Sequence, residues 1–214
     1  MSEQVLHLAD CRVTDWSGGR TTELAIAPVG ALYANRDFLW RFSTATAEAE
    51  QSTYTNLPDY NRVILSLSGV LRLSHGPADG GVWREFAPFE PCSFDGGADT
   101  QAMGRVVDLN LMLRKGWCEG VMIPVLGEAG HVMDATAAVD AALSGADELL
   151  IYCFEGALEA VGEEKHSLEA GDTLWASRPL GRRSLRLTQR TKAALAAVRY
   201  RTVNVRRTGH ETAY

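Results

Sequence analysis

The sequence has little that would bind nucleic acid or cross a membrane. Its 214 residues carry 21 basic and 27 acidic side chains, a formal charge of −6, which disfavours contact with a phosphate backbone. No run approaches the roughly 18 to 20 uninterrupted apolar residues that a membrane span needs. The N-terminal residues include acids and lack a basic segment followed by an apolar one, which a secretion signal requires. We therefore expect a cytoplasmic protein with no nucleic-acid partner and no membrane partner.

Cysteine and histidine are too scattered to suggest disulfides or a metal site. The four cysteines have no CxxC spacing, and a chain of this size needs no covalent staples, so we expect free thiols. They are Cys11, Cys92, Cys118 and Cys153. The five histidines include no HxH pair, the pattern with which many small β-barrels hold a transition metal. They are His7, His75, His131, His166 and His210. We predict no metal and no other cofactor.

Motifs for covalent catalysis and for phosphate binding are also missing. The chain has no G-x-S-x-G nucleophile elbow. Its glycine-rich segment at residues 17–20 lacks the Lys-Ser/Thr end of a phosphate-binding loop and precedes a predicted strand rather than a helix. The sequence therefore assigns no catalytic residue.

The strongest hydrophobic pattern in the sequence has a period of two residues, and it predicts short strands separated by Gly, Pro, Asp and Asn. The predicted strands are Glu23–Ala27, Phe38–Ala45, Arg62–Leu67, Val70–Ser74, Arg105–Leu113, Glu148–Phe154, Ala157–Val161, Asp172–Ala176, Ser184–Leu187 and Ala193–Tyr200. Only Asp134–Leu143 has the pattern of a helix, with Asp134 as its N-cap. Turns centred on Gly69 and Gly156 predict two tight hairpins, because glycine adopts positive φ.

The strands fall into two similar halves. The run Gly171–Trp175 resembles a conserved turn of cupin-type jelly rolls. Repetition of a short-strand half predicts an all-β bicupin, two stacked jelly-roll barrels with one short helix. We place the N-terminal barrel with a ligand pocket at residues 1–126, a linker and helix at 127–147, and the C-terminal barrel at 148–214.

Polar side chains on strand faces are the candidate site. In the strand at 105–113, Asp108 and Asn110 face away from the apolar side, toward either solvent or a polar cavity. Arg41 lies between two aromatic residues, and Arg62 opens the next strand. Arginine matches a carboxylate with two parallel hydrogen bonds, so these residues suggest an anionic ligand. The alternative is that Arg41 and Arg62 pair with Glu23 and Asp108 inside the protein.

Four ordered motifs carry a resemblance to a known family. They are residues 16–24, Asp37–Ala45, Leu57–Arg62 and Asp108–Met112. In this order and spacing they are similar to the HutD/Ves family, over about residues 12 to 200, with further likeness at Pro91–Phe94 and Gly171–Trp175. The resemblance implies a bicupin fold, a gene context of histidine utilisation for many members, and a binding or regulatory role. It places the pocket at Thr21, Glu23, Arg41, Arg62, Asp108 and Asn110.

The chain departs from the family pattern in its first motif. The loop after Trp16 is two residues shorter, Thr22 stands where the family has Arg, and Asp59 replaces a Gly. Arg20 is one position away and would point to the opposite face of its strand. Because one expected cation is lost, we expect a smaller, less charged or different ligand.

We predict a cytoplasmic protein that binds a small carboxylate such as urocanate or formylglutamate and acts as a regulator of histidine utilisation. One alternative is a metal-independent enzyme for a small acidic or sugar-like substrate, with Glu23 or Asp108 as general base. Another is a structural or interaction bicupin without a ligand. The sequence leaves a homodimer open.

Overall fold

The structure, a computed structural model, describes residues 2–76 and 80–201, in which nineteen strands and one α-helix form. The first eleven strands are β1 Ser2–Leu6, β2 Arg12–Trp16, β3 Gly19–Ala27, β4 Trp40–Ala47, β5 Gln51–Thr53, β6 Tyr60–Ser68, β7 Leu71–Ser74, β8 Arg84–Phe86, β9 Pro91–Asp95, β10 Gln101–Met103 and β11 Val106–Arg114. The others are β12 Cys118–Gly127, β13 Val132–Asp134, β14 Glu148–Glu155, β15 Ala157–Val161, β16 Lys165–Glu169, β17 Thr173–Ser177, β18 Ser184–Leu187 and β19 Thr191–Tyr200. Helix α1 spans Ala135–Ala142, and two 3-10 helices span Leu8–Asp10 and Tyr33–Asn35.

The strands form four sheets, two in each of two stacked barrels. The first barrel has a six-stranded sheet in the order β2-β3-β4-β11-β6-β9 and a four-stranded sheet in the order β5-β10-β7-β8. The second barrel has a five-stranded sheet, β1-β17-β14-β19-β12, and a four-stranded sheet, β13-β18-β15-β16. The all-β architecture of two stacked barrels with one short helix is confirmed.

Strands β1 and β12 lie in the second barrel, whereas the division predicted at residue 126 places β1 and most of β12 in the first. β1 pairs antiparallel with β17, and β12 pairs with β19 along its whole length. β1 is held further by Glu3, whose carboxylate pairs with the buried Arg183 and lies 2.9 Å from the His166 ring. The chain therefore starts in the second barrel, builds the first and returns, a long-range pairing that local sequence patterns do not encode.

The two predicted hairpins are wrong, because both turns are corners between sheets. β6 pairs with β11 and β9, while β7 pairs with β10 and β8, so the strands on either side of Gly69 belong to different sheets. The same holds for β14 and β15 around Gly156. Both glycines have φ of +81°, and a Cβ there would lie within 2.4 Å of the carbonyl oxygen of Arg105 or Arg190. Glycine is therefore required, for a change of sheet rather than a hairpin.

Alternation along the strands creates four apolar clusters in the described residues, two large ones and two smaller ones within the first barrel. One, the inter-barrel core, lies between the two large sheets. Its members include Trp40, Phe42, Leu65, Leu109, Leu111, Met122, Leu150, Tyr152, Trp175 and Val198. On β14, Leu150 and Tyr152 face this core, whereas Leu149, Ile151 and Cys153 face the interior of the second barrel. A two-sided apolar strand of this kind is typical of a sheet buried on both faces.

The helix forms where the sequence predicts it. The Asp134 carboxylate accepts a hydrogen bond from the Ala137 N–H at 2.9 Å, and this satisfies one of the unpaired donors of the first turn. Ala135 and Val139 pack against the core inside the second barrel. The four cysteines are free thiols in this structure. No helix in the described ranges is long and apolar enough to cross a membrane.

Candidate functional site

The interior of the first barrel contains a cavity of about 490 Å³ between its two sheets. This volume lies within the range of small-molecule sites, about 300 to 1,000 Å³. The structure brings all six residues of the predicted pocket to its wall. They are Thr21, Glu23, Arg41, Arg62, Asp108 and Asn110.

These residues meet because alternate positions of neighbouring strands share one face of the six-stranded sheet. The inner face presents three cross-strand rows. The first is Arg41, Met112 and Arg62; the second is Glu23, Ser43 and Asn110; the third is Thr21, Ala45 and Asp108. The intervening residues of β11, Leu109 and Leu111, face the inter-barrel core. The alternation seen in the sequence of this strand therefore separates a face in the inter-barrel core from a face that lines the cavity.

Two β-bulges lie beside the acidic residues of the wall. The register of β3 against β4 shifts between Glu23 and Ala25, and that of β11 against β6 shifts between Val107 and Asp108. A bulge inserts one residue and changes the side to which the following side chains point. The shift lets Glu23 face the cavity while Leu24, Ala25 and Ala27 pack in the core.

Arg41 is engaged within the protein. Its Nε donates to the Glu23 carboxylate at 2.6 Å, and its Nη1 donates to the Ser43 hydroxyl at 3.2 Å. The guanidinium carbon also lies 4.4 Å from the centre of the Tyr33 ring. The sequence left internal pairing of Arg41 open, and the structure shows that pairing.

Arg62 is buried but has no carboxylate partner among the described residues. It is 2 % exposed, its Nη2 donates to the Thr55 carbonyl at 2.5 Å, and its Nε has no hydrogen-bond partner. The guanidinium lies 5.1 Å from the centre of the Tyr54 ring. Burial lowers the pKa of Arg62, yet an arginine stays charged inside a protein. The cavity wall therefore carries a desolvated cation whose bonding capacity is not filled.

Asp108 does not form the internal pair with Arg62 that the sequence left open. It is 5 % exposed, and no described residue donates a hydrogen bond to its carboxyl group. Burial raises the pKa of Asp108 to about 7, and the positive charge of Arg62 opposes this increase only in part. Asp108 therefore changes charge near neutral pH, which is uncommon for an aspartate and typical of functional cavities.

Strand β2 supplies wall residues that the sequence analysis missed. Arg12, Thr14 and Trp16 line the cavity, and Arg12 lies opposite Glu23 in the sheet. Arg12 is exposed and forms no ion pair with any described residue. The alternation of residues 12–16 before the glycine pair at 18–19 is the signal that could have identified this strand. Arg20, in contrast, pairs with Asp15 at 2.7 Å on the exposed face.

The charge of the wall is positive overall. Three guanidinium groups, on Arg12, Arg41 and Arg62, face two carboxyl groups, on Glu23 and Asp108. The Glu23 carboxylate is paired with Arg41, and burial favours the neutral form of Asp108. Two aromatic rings, Tyr33 and Tyr54, also line the cavity, where they stack against guanidinium groups. This chemistry suits a small, flat anion.

A family model named HutD matches residues 8–197 of the chain. The chain belongs to the HutD family. It is thus a cupin-fold protein of a family associated with histidine utilisation. A comparison with curated proteins finds no match.

Solved structures agree with the HutD assignment at the level of the fold. A conserved protein of unknown function from Pseudomonas aeruginosa PAO1, PA5104, is 20 % identical with a TM-score of 0.74, covering 94 % of this chain and 100 % of its own. HutD from Pseudomonas fluorescens SBW25 is 21 % identical with a TM-score of 0.68 and the same coverage. The bacterial pirin YhhW from Escherichia coli, solved with nickel(II), is 9 % identical with a TM-score of 0.61, covering 92 % and 98 %.

The wall of this HutD-family cavity does not suit a transition metal. Its described residues include no histidine and no cysteine, and one of its two carboxylates is already paired with Arg41. Transition metals in cupin barrels prefer a set of imidazole and carboxylate ligands. In the described ranges, no three His, Cys, Asp or Glu side chains lie close enough to hold a metal ion. His210 lies outside the described residues.

Proposed function

We propose that the first barrel binds a small organic carboxylate, and that the protein is a cytoplasmic regulator of histidine utilisation with a ligand such as urocanate or formylglutamate. One observation carries the proposal: Arg62 is buried in the cavity wall without a carboxylate partner among the described residues and with its Nε unpaired. An anion is the group that would satisfy it. The family's association with histidine utilisation supports acids of that pathway as first candidates.

The surroundings of Arg62 favour a carboxylate over a larger anion. A planar guanidinium pairs with a planar carboxylate through parallel hydrogen bonds. The Tyr54 ring lies beside Arg62, and the Tyr33 ring lies beside Arg41. Arg12, at the exposed end of the wall, adds attraction for a second negative group.

Thermal unfolding with and without ligand tests the proposal. Urocanate or formylglutamate at about 100 times its Kd should add roughly 2.7 kcal/mol of apparent stability, whereas urocanamide should add little. Arg62→Ala should weaken binding by about 2 to 5 kcal/mol, because one partner of a desolvated ion pair is lost. Arg72→Ala is the matched control, since Arg72 pairs with Glu85 on the surface. If no acid raises the melting temperature at millimolar concentration, the ligand-free structural role is favoured instead.

A second candidate function is proton transfer on the bound acid, with Asp108 as general base. The observation in its favour is the pKa of Asp108, raised to about 7 by burial inside the cavity, since a general base acts best with a pKa near the working pH. Proton NMR of urocanate in D₂O with the protein tests it. Exchange or conversion that disappears in Asp108→Asn supports catalysis, and an unchanged spectrum supports binding alone.

A further inference from the structure

The segment that connects β3 with β4 lies at the opening of the cavity. The wall residues that are exposed to solvent mark this opening, and they come from β2 and the turn after it, from residues 32 and 34, and from residues 53 and 55. Leu32 lines the cavity and is still 47 % exposed. Residues 28–36, the rim loop, therefore form part of the boundary between solvent and the cavity.

The rim loop is closed at its base and has no hydrogen bond to the rest of the described chain. The Leu39 N–H donates to the Ala27 carbonyl at 2.7 Å and so joins the two ends of the connection. Within the loop, every hydrogen bond joins residues three apart. A compact loop with closed ends and few bonds to its surroundings can move as a unit at low cost.

The side chain of Tyr33 holds the rim loop on the cavity wall. Its ring centre lies 4.4 Å from the guanidinium carbon of Arg41 and 6.0 Å from the centre of the Phe38 ring. Tyr33 also packs on the small apolar cluster that includes Met112. A guanidinium group over an aromatic ring is attracted to it without any hydrogen bond. The loop is thus attached to the wall by packing and by this stacking contact.

Two features of the rim loop allow this contact to be released. Gly30 and Arg36 have φ of +86° and +57°, and they bracket the residues around Tyr33 as hinge positions do. The Arg36 guanidinium lies 3.6 Å from the Tyr33 ring centre and forms no ion pair with a described residue. Burial lowers the pKa of Arg62, and the positive charge of Arg36 lowers it further. Like charges on the loop and on the wall therefore oppose the closed position.

We propose that the rim loop is a lid, which Tyr33 holds on Arg41 and which must lift at Gly30 and Arg36 before a ligand enters or leaves the cavity. The identity of that ligand rests on the proposed function, whereas the movement itself requires no ligand. Lids of this kind commonly set the rate at which a cavity exchanges its contents. The inference gives a role to Tyr33, which the sequence analysis did not select.

A thiol placed beneath the rim loop tests the movement in the ligand-free protein. Met112 is 3 % exposed, lies between Arg41 and Arg62 across the sheet, and belongs to the cluster on which Tyr33 packs. Met112→Cys therefore introduces a thiol that the loop covers, and peptide mass spectrometry follows its reaction with an anionic methanethiosulfonate reagent. The native thiol of Cys153, fully buried in the second barrel, reports global unfolding in the same sample. The introduced thiol should react at least about tenfold faster than Cys153, and equal rates would overturn the lid.

Variants at Tyr33, made together with Met112→Cys, test what holds the loop. Tyr33→Leu keeps an apolar side chain over the cluster but removes the ring, so the introduced thiol should react at least about fivefold faster, whereas Tyr33→Phe keeps the ring and should stay within about twofold. Asn35→Ala is the matched control, because Asn35 is exposed on the same loop outside the cavity wall. An unchanged rate at Cys153 shows that each variant is folded. Equal rates in Tyr33→Leu and Tyr33→Phe would overturn the role of Tyr33.

Stopped-flow binding of urocanate, in proteins that keep Met112, tests whether the loop controls passage. Because a lid limits movement in both directions, Tyr33→Leu should raise the association and dissociation rate constants together. An increase in the dissociation rate constant alone would show that Tyr33 contacts the ligand and is not part of a lid. If urocanate does not bind, the proposed function fails, and the thiol rates still decide whether the loop lifts.

Discussion

The two barrels share an architecture, but their interiors differ. The first holds a cavity with charged side chains on one wall beside two small apolar clusters, whereas the second is packed with apolar side chains. In the first barrel, the inner face of β11 presents Asp108 and Asn110 to a cavity of about 490 Å³. In the second, the inner face of β14 presents Leu149, Ile151 and Cys153 to a packed core in which most side chains are fully buried. The comparison indicates that the second barrel contributes stability while the first holds polar groups that cost stability. Such a cost is common where a protein keeps groups for a ligand.

The inter-barrel core joins these two regions at the strand that carries Arg41. The neighbouring Trp40 packs edge to face on Trp175 at 5.1 Å, and its indole N–H donates to the Tyr200 hydroxyl at 2.9 Å. That hydroxyl in turn donates to the buried Glu148 carboxylate at 3.0 Å. The side chains on one face of this strand thus pack against the second barrel, whereas those on the other face line the cavity.

The prediction with the largest expected effect concerns the ion pair between Arg41 and Glu23 in the cavity wall of the first barrel. Arg41→Ala should lower the free energy of unfolding by about 3 to 5 kcal/mol, because it leaves the largely buried Glu23 carboxylate without its partner. Urea unfolding at pH 7 measures this loss. The control is Arg20→Ala, which breaks an exposed pair of similar length and should change stability by less than about 1 kcal/mol. Equal losses of unfolding free energy in Arg41→Ala and Arg20→Ala would show that burial does not make the Arg41–Glu23 pair more stabilising than an exposed pair.

The second prediction concerns the packed interior of the second barrel. Leu168 is fully buried there, so Leu168→Ala should cost about 2 to 5 kcal/mol through lost burial and the cavity it leaves. Ligand affinity in the first barrel should stay unchanged. Val161→Ala, at a position 38 % exposed, should cost less than about 1 kcal/mol. A small loss at Leu168, measured by urea unfolding, would remove the contrast between the barrels.

The sequence predicts the cavity wall better than it predicts the chain path. Alternation in residues 105–113 separates Asp108 and Asn110 from the apolar face, because a strand has a fixed period of two. The same local information cannot distinguish a hairpin at Gly69 from a corner between sheets, since both need positive φ. Nor can it tell that Arg41 is paired while Arg62 is not. That difference depends on the bulge at Glu23 and on the register in which neighbouring strands pair.

The third prediction uses pH to measure the cost of one polar group in the cavity. Unfolded Asp108 loses its proton near the ordinary pKa of 3.8, whereas folded Asp108 keeps it to about pH 7. Between these values the folded state binds more protons, so stability falls as pH rises and is constant above pH 7. Asp108→Asn removes this loss. Urea unfolding should show little difference from wild type at pH 4 and a gain of about 2 to 4 kcal/mol at pH 8; a gain that does not change with pH would contradict it.

The smallest expected effect is the most informative, because it separates Arg62 from Arg41. Arg62→Ala leaves no carboxylate in a broken ion pair, since no described acid pairs with Arg62. It removes one hydrogen bond to the Thr55 carbonyl and also removes a desolvated cation with an unpaired Nε. These changes oppose each other, so stability without ligand should stay within about 1 kcal/mol of wild type in urea unfolding.

The same Arg62→Ala protein should bind the acid much more weakly, so stability and affinity respond independently at this residue. At Arg41 both quantities should fall together, because the Glu23 pair holds the wall in place. Measured side by side, the two variants tell whether a buried arginine serves the fold or a ligand. A loss of more than about 3 kcal/mol at Arg62 with unchanged affinity would show that Arg62 is structural. The polar side chains in the cavity of the first barrel would then need an explanation other than ligand binding.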